Sequence, residues 1–188
     1  LPGATMFRIR EPVRDFTDRE EHIKTLVARL SHNGSRADAA AVTIFALHGM
    51  GGIGKTELAR VIASRVRDHY GDAGFELELQ PGARPLTVGQ VYAAIIHAAK
   101  PRWVKLPDEE AALQGVYLDA LAGRRGILLL DNAAGAEQVC PLLPPPAGWA
   151  ILVTSRLTFD LPGGESVDLT LLQLPDAVKF LARRLTAG

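Results

Sequence analysis

Cysteine is almost absent from this sequence: Cys140 is the single one among 188 residues. An internal disulfide is therefore impossible, and the usage fits a reducing compartment such as the cytoplasm. Set among apolar neighbours, Cys140 reads as a small buried hydrophobe. An excess of either charge is missing too. Lys plus Arg number 21 and Asp plus Glu number 21, so no basic field exists to draw nucleic acid or an acidic membrane to this segment. No apolar run approaches the length of a membrane span, and no signal-peptide pattern opens the chain. The five histidines (His22, His32, His48, His69 and His97) have no paired metal-ligand spacing, which argues against a metal site made only of protein ligands. There is no internal repeat and no low-complexity tract beyond Pro144-Pro145-Pro146. An initiator methionine is missing as well, so the chain reads as an excised piece of a longer polypeptide.

What is present centres on His48-Gly49-Met50-Gly51-Gly52-Ile53-Gly54-Lys55-Thr56. Gly49 to Thr56 satisfies the phosphate-binding pattern G-x-x-x-x-G-K-[ST]. Ahead of it, residues 42–47 form a β-rich apolar run of the length of a buried parallel strand. Behind it, Leu58, Ile62 and Val66 are spaced as one helix face. Strand, glycine loop and helix give the motif its physical sense. A triphosphate needs close-range donors, and glycines let the backbone N–H groups turn inward while the helix aims its positive end at the same point. Lys55 is expected on the β- and γ-phosphates and the Thr56 hydroxyl on Mg²⁺. The alternative is an ordinary glycine turn between a strand and a helix.

Taken in order, residues 1–14 read as an extended lead-in. Thr17 and Glu20 have capping-box spacing at the head of a helix with a stripe of Ile23, Leu26, Val27 and Leu30. Residues 1–38 thus form a lead-in and capped helix, and 39–188 a nucleotide-binding domain. Gly71 is placed to end the helix that follows the glycine loop. Phe75-Glu76-Leu77-Glu78-Leu79 alternates as a half-exposed strand near a sheet edge. Residues 88–99 and 108–121 follow as helices, the second started by Asp108 and stopped by Gly123. Gly126 to Asp131 is an apolar strand ending in an acid, residues 133–139 a short helix, and Trp149 to Arg156 a buried strand ending in polar groups. Residues 166–169 are a strand candidate and 176–185 a final helix. Apolar strands alternating with helices predict an α/β fold, a parallel sheet covered on both faces, with ligands beyond the carboxyl ends of its strands. Gly49, Asp131 and Arg156 all fall at such ends and are expected to converge. Asp131 either sits beside the Thr56-bound Mg²⁺ or caps the next helix. Arg156 either touches the γ-phosphate, forms a salt bridge or ends its strand in solvent.

Residues 49–59 resemble the P-loop of the NB-ARC group of STAND signalling ATPases, which includes plant disease-resistance proteins, apoptotic scaffold ATPases and actinobacterial regulators. Three further stretches match in the same order. Phe16-Thr17-Asp18-Arg19-Glu20 resembles the F-x-G-R-E opening motif; Leu128 to Ala133 resembles the Mg²⁺-aspartate strand; Leu152-Val153-Thr154-Ser155-Arg156 resembles the sensor strand. Residues 130–156 are closest to actinobacterial regulators with tetratricopeptide or antibiotic-regulatory domains. The resemblance implies a P-loop NTPase three-layer sandwich with a five-stranded parallel sheet, the sensor strand lying between the P-loop and aspartate strands. It implies a switch that rests with ADP and opens on exchange for ATP, with Gly49, Gly51, Gly52, Ile53, Gly54, Lys55, Thr56 and Glu57 around the phosphates. Phe16 and Arg19 would then lie against adenine and ribose, Thr56 and Asp131 would hold Mg²⁺, and Lys55, Asp131 and Arg156 would act on the γ-phosphate. It implies partners as well: helical, winged-helix and sensor-repeat domains of the parent chain, and ATP-dependent self-assembly.

Two positions depart from the family pattern. Asp18 replaces the usual glycine of the opening motif, and Asn132 replaces a second acid that orients or activates the attacking water. An amide positions water but cannot accept its proton, so slow ATP hydrolysis is expected. Two other functions compete. A small-molecule kinase needs an arginine-bearing lid, for which Arg124-Arg125 is the nearest basic pair. A GTPase needs the guanine-reading N-K-x-D, which is absent, and Asp131 is followed by a glycine four residues on rather than three.

Overall fold

The computed structural model describes residues 6–13, 16, 19–35, 43–71, 73–101 and 105–171. The Thr17 capping box, Asp18 and the helix expected at 176–185 lie outside these residues. Six strands and five α-helices are described: β1 (Met6–Phe7), α1 (Glu20–Ser35), β2 (Thr43–His48), α2 (Lys55–Arg65), β3 (Ala73–Glu78), α3 (Val88–Ala99), α4 (Glu110–Leu121), β4 (Gly126–Ala133), α5 (Ala136–Val139), β5 (Trp149–Ser155) and β6 (Glu165–Asp168). The strands form one sheet in the order β1-β3-β4-β5-β2-β6, and every pairing is parallel. The five-stranded sheet is present, with the two-residue β1 added at its edge. As expected, the sensor strand β5 lies between the P-loop strand β2 and the aspartate strand β4.

Alternation along the central strands makes two cores. Phe45, Leu47, Ile127, Leu129, Ala150 and Leu152 face α1 and α2, where they meet Ile23, Leu26, Leu30, Leu58 and Ile62. Ile44, Ala46, Leu128, Leu130, Ile151 and Val153 face α3 and α4, against Val91, Tyr92, Ile95, Leu113 and Tyr117. Burying each Leu or Ile contributes about 1.5–3 kcal/mol, so α2 is held against the sheet by packing and carries the glycine loop at a fixed height. Several buried polar side chains of the core are hydrogen-bonded to the backbone. Trp149 Nε1 donates to Leu121 O at 2.9 Å, and Tyr117 OH to Leu142 O at 3.2 Å. Gln138 accepts from Ala134 N and donates to Leu79 O and Leu86 O, tying the loops after β3 and β4 together.

Three local expectations are corrected. Helix α2 ends at Arg65 and passes into a 3-10 turn at Arg67–His69, so Gly71 lies beyond its end. Helix α4 begins at Glu110 behind Glu109, with no side-chain cap from Asp108. The alternation in β3 does not leave its acids in water: the Glu76 side chain is only 4% exposed. Its carboxylate accepts from Arg60 Nη2 at 2.6 Å and from Arg10 Nε at 2.8 Å. Burial alone would raise the Glu76 pKa, but these hydrogen bonds outweigh it and hold the carboxyl below its ordinary value.

Candidate nucleotide site

Because the sheet is parallel, the carboxyl ends of β2, β3, β4 and β5 share one rim, and the glycine loop runs from that rim into α2. Two backbone positions require glycine. Gly49 has φ 142°, and a Cβ there would stand 2.6 Å from the carbonyl oxygen of Leu169. Gly54, which precedes α2, has φ 94° and lies under the Phe16 ring, whose Cε2 would be 3.5 Å from a Cβ. Such angles disfavour any L side chain. Exposed Met50 and the glycines Gly51 and Gly52 form the outer part of the loop.

Lys55 is 8% exposed and turns back on its own loop, with Nζ 2.7 Å from Gly49 O and 2.8 Å from Met50 O. Burial lowers its pKa, as does nearby Arg156, while Asp131 opposes them. Arg156 leaves β5 where the Ser155 hydroxyl accepts from Leu157 N at 3.0 Å, a local turn that frees its side chain from the strand. Its guanidinium then reaches Gly51, with Nε 3.7 Å from the place a Cβ would occupy. Arg19 is buried, and burial lowers its pKa. Its Nη2 donates to Thr170 O at 2.8 Å and Ile53 O at 3.3 Å. It thus braces the loop against the segment after β6. Glu57 turns away from the loop, accepting from Val13 N at 3.0 Å and pairing with Arg60.

Asp131 lies 7% exposed at the end of β4. Its Oδ1 accepts from Thr56 Oγ1 and from Thr154 Oγ1, each at 2.6 Å. These are hard oxygen donors of the kind Mg²⁺ takes, in a site with few carboxylates that leaves room for waters and phosphates. Two neighbouring ligands of an octahedral Mg²⁺ stand about 3 Å apart, close to the observed Thr56–Asp131 separation, so the residues present fit the ion. Among the described residues no group of three His, Cys, Asp or Glu could hold a metal by itself.

The strand patterns gave no warning of a bulge beside Asp131. Leu130 pairs with Val153 and Ala133 with Ser155, so Asp131 and Asn132 together oppose Thr154. Asn132 has φ 58°, a left-handed conformation that Asn tolerates. The extra residue resets the alternation. Leu130 and Ala133 both face α3 and α4, leaving Asp131 and Asn132 to turn in succession toward α2. Asn132 N donates to Thr154 Oγ1 at 2.9 Å, and its Nδ2 donates to Glu78 Oε1 at 2.9 Å. Sequence motifs single out neither Thr154 nor Glu78. Their only sequence signal is position: each is a polar residue at the rim end of a strand.

His48, next to Gly49, is fully buried, with its ring centroid 5.0 Å from that of Phe159. Neither ring nitrogen has a hydrogen bond. Asp168 Oδ1, at 3.7 Å from Nδ1, is too distant for one. Burial depresses the His48 pKa despite the nearby carboxylates of Asp168 and Asp160.

Comparison with known proteins matches the NB-ARC domain to residues 19–159. Regulatory protein AfsR of Streptomyces griseus is 36% identical over 91% of this chain, and that of Streptomyces coelicolor 37% over 91%. A probable disease resistance protein of Arabidopsis thaliana is 30% identical over 73% of the chain. The chain spans 17%, 18% and 15% of these relatives, respectively. Among solved structures, the Aeropyrum pernix ORC2 protein aligns with TM-score 0.64 at 15% identity, covering 98% of this chain and 56% of its own. ORC1 of the same organism, solved in complex with DNA, aligns with TM-score 0.63 at 16% identity, covering 92% and 50%.

Proposed function

Because the chain belongs to the NB-ARC family, we propose that it is the adenine-nucleotide switch module of a multidomain signalling or transcription regulator, binding ATP or ADP with Mg²⁺ and hydrolysing ATP slowly. The observation that carries this reading is convergence. The glycine loop, Lys55, Thr56, Asp131 and Arg156 come from three separate parts of the chain and meet at one end of the sheet. Two relatives that align over 91% of the chain are named as regulatory proteins, which supports the regulatory setting. The 39–188 boundary for the nucleotide-binding part, the neighbouring helical, winged-helix and sensor-repeat domains, and ATP-dependent self-assembly belong to the same proposal.

Each residue has a role that its chemistry suits. The loop N–H groups and the start of α2 receive the phosphates. Lys55, held by two loop carbonyls, exchanges those acceptors for phosphate oxygens, which are stronger partners for an ammonium. Thr56 and Asp131 would hold Mg²⁺, which neutralises phosphate charge when bound. Thr154 fixes the Asp131 carboxylate by donating to it. Arg156, exposed at the loop, is free to meet a γ-phosphate and so to distinguish ATP from ADP. Phe16 and Arg19, against Gly54 and Ile53, are the proposed base and ribose side of the cradle. Calorimetric titration with ATP, ADP and GTP in Mg²⁺ tests the proposal. Adenine-selective binding that Lys55→Ala weakens at least about tenfold is expected, since a charged hydrogen bond of about 1.5–3 kcal/mol is lost. Binding of GTP alone would overturn it.

A further inference from the structure

Asn132 cannot accept a proton, yet it does not stand alone. On β3, Phe75 and Leu77 face the α3 and α4 side while Glu76 bonds to Arg60 of α2. Glu78 follows Glu76 on the α2 side by alternation. In register, Glu78 lies directly beside Asp131 on the neighbouring strand. The bulge in β4 turns Asn132 to that same side, where its Nδ2 meets Glu78 Oε1 at 2.9 Å. A carboxylate only accepts, so the amide must present its NH₂ to Glu78 and keep its own oxygen for another donor. We propose that Glu78 supplies the proton-accepting carboxylate for ATP hydrolysis at this site, with Asn132 orienting both it and the attacking water.

Several other carboxylates near the rim are committed elsewhere. Asp131 receives two hydroxyls and fits Mg²⁺. Glu57 is taken by Arg60 and Val13 N, and Glu76 by Arg60 and Arg10. Asp168 and Asp160 lie around His48, beyond β2. Among the described residues no Lys or Arg pairs with Glu78, so no cation occupies its carboxylate. The assigned step balances. The water oxygen bonds to the terminal phosphorus, the bond from that phosphorus to the β–γ bridging oxygen breaks, and ADP leaves with the electron pair. One water proton passes to the Glu78 carboxylate and then to solvent.

This assignment rests on the proposed ATP hydrolysis, and its test separates the two. Single-turnover hydrolysis by the full chain is compared for wild type, Lys55→Ala, Glu78→Gln, and Glu78→Gln combined with Asn132→Asp. Glutamine keeps an oxygen for Asn132 Nδ2 but cannot take a proton. Glu78→Gln is expected to slow hydrolysis at least about 100-fold, to abolish the acid limb of the pH–rate profile and to leave ATP affinity within about threefold of wild type. Restoring a carboxylate at position 132 should recover part of the rate. As a readout independent of turnover, the ¹³C carboxyl resonance of Glu78 at one fixed pH should differ between the complexes with a non-hydrolysable ATP analogue and with ADP, because the added phosphate lies close. Wild-type rate and pH profile in Glu78→Gln, or an identical Glu78 carboxyl resonance in the two nucleotide states, would overturn the assignment alone. A wild-type rate no higher than that of Lys55→Ala would overturn the hydrolysis reading and this assignment with it.

Discussion

Replacing Gly49 by alanine puts a measurable demand on the start of the phosphate loop. At φ 142° an L side chain is strained, and the new Cβ would meet Leu169 O at 2.6 Å. Opening that contact to an ordinary separation moves a carbonyl by about 0.8 Å. Leu169 cannot yield freely: it is buried, and its N–H donates to His48 O at 2.8 Å in the register that joins β6 to β2. Backbone strain of about 1–3 kcal/mol and loss of about 1 kcal/mol from that hydrogen bond together predict a destabilisation of about 2–4 kcal/mol. For a chain of this size the melting temperature should fall by about 4–16 °C. Gly52→Ala is the control. Its φ of 78° is also left-handed, but nothing lies within 4 Å of a Cβ there, so only about 1–2 kcal/mol of strain is expected. Thermal unfolding followed by circular dichroism compares the three proteins. If Gly49→Ala melts as high as Gly52→Ala, the close approach of β6 to the loop is not what demands glycine, and the reasoning fails.

Two further outcomes follow from the same coordinates. Thr154→Val removes a hydroxyl that donates to Asp131 and accepts from Asn132 N; the orphaned groups should cost about 1–3 kcal/mol, read by urea unfolding, and Mg²⁺ dependence of nucleotide binding should shift to higher concentration. His48 has a pKa lowered by burial, so the unfolded chain takes up a proton first as pH falls below about 6.5. Its contribution to stability is present above that pH and is lost as pH falls toward the lower folded value; His48→Leu should therefore lose less stability than wild type between pH 7.5 and 5.5 in denaturant titrations.

The proposed nucleotide cradle was legible as a motif because its demands are local. A phosphate loop needs glycines at fixed offsets, a lysine and a hydroxyl residue at the first turn of a helix, and these are adjacent in sequence. The sheet was legible for a similar reason, since buried parallel strands are unbroken apolar runs such as Ile127 to Leu130 and Ala150 to Val153. Asp131 and Arg156 could be placed at strand ends, and a parallel sheet brings its strand ends together. Other features depend on register and on long-range partners, which no local pattern encodes. Glu76 and Glu78 alternate with apolar residues as solvent-facing acids would, yet Arg60 from α2 and Arg10 from the lead-in bury the first, and the bulge at Asn132 captures the second. Helix α4 starts two residues later than its acid predicts because packing of Leu113 and Tyr117 against α3 sets its register. Propensity and motif thus determined which elements form and which residues line the proposed phosphate site. The tertiary structure decided where the remaining carboxylates point, because a single extra residue in β4 reverses the side on which Asn132 emerges.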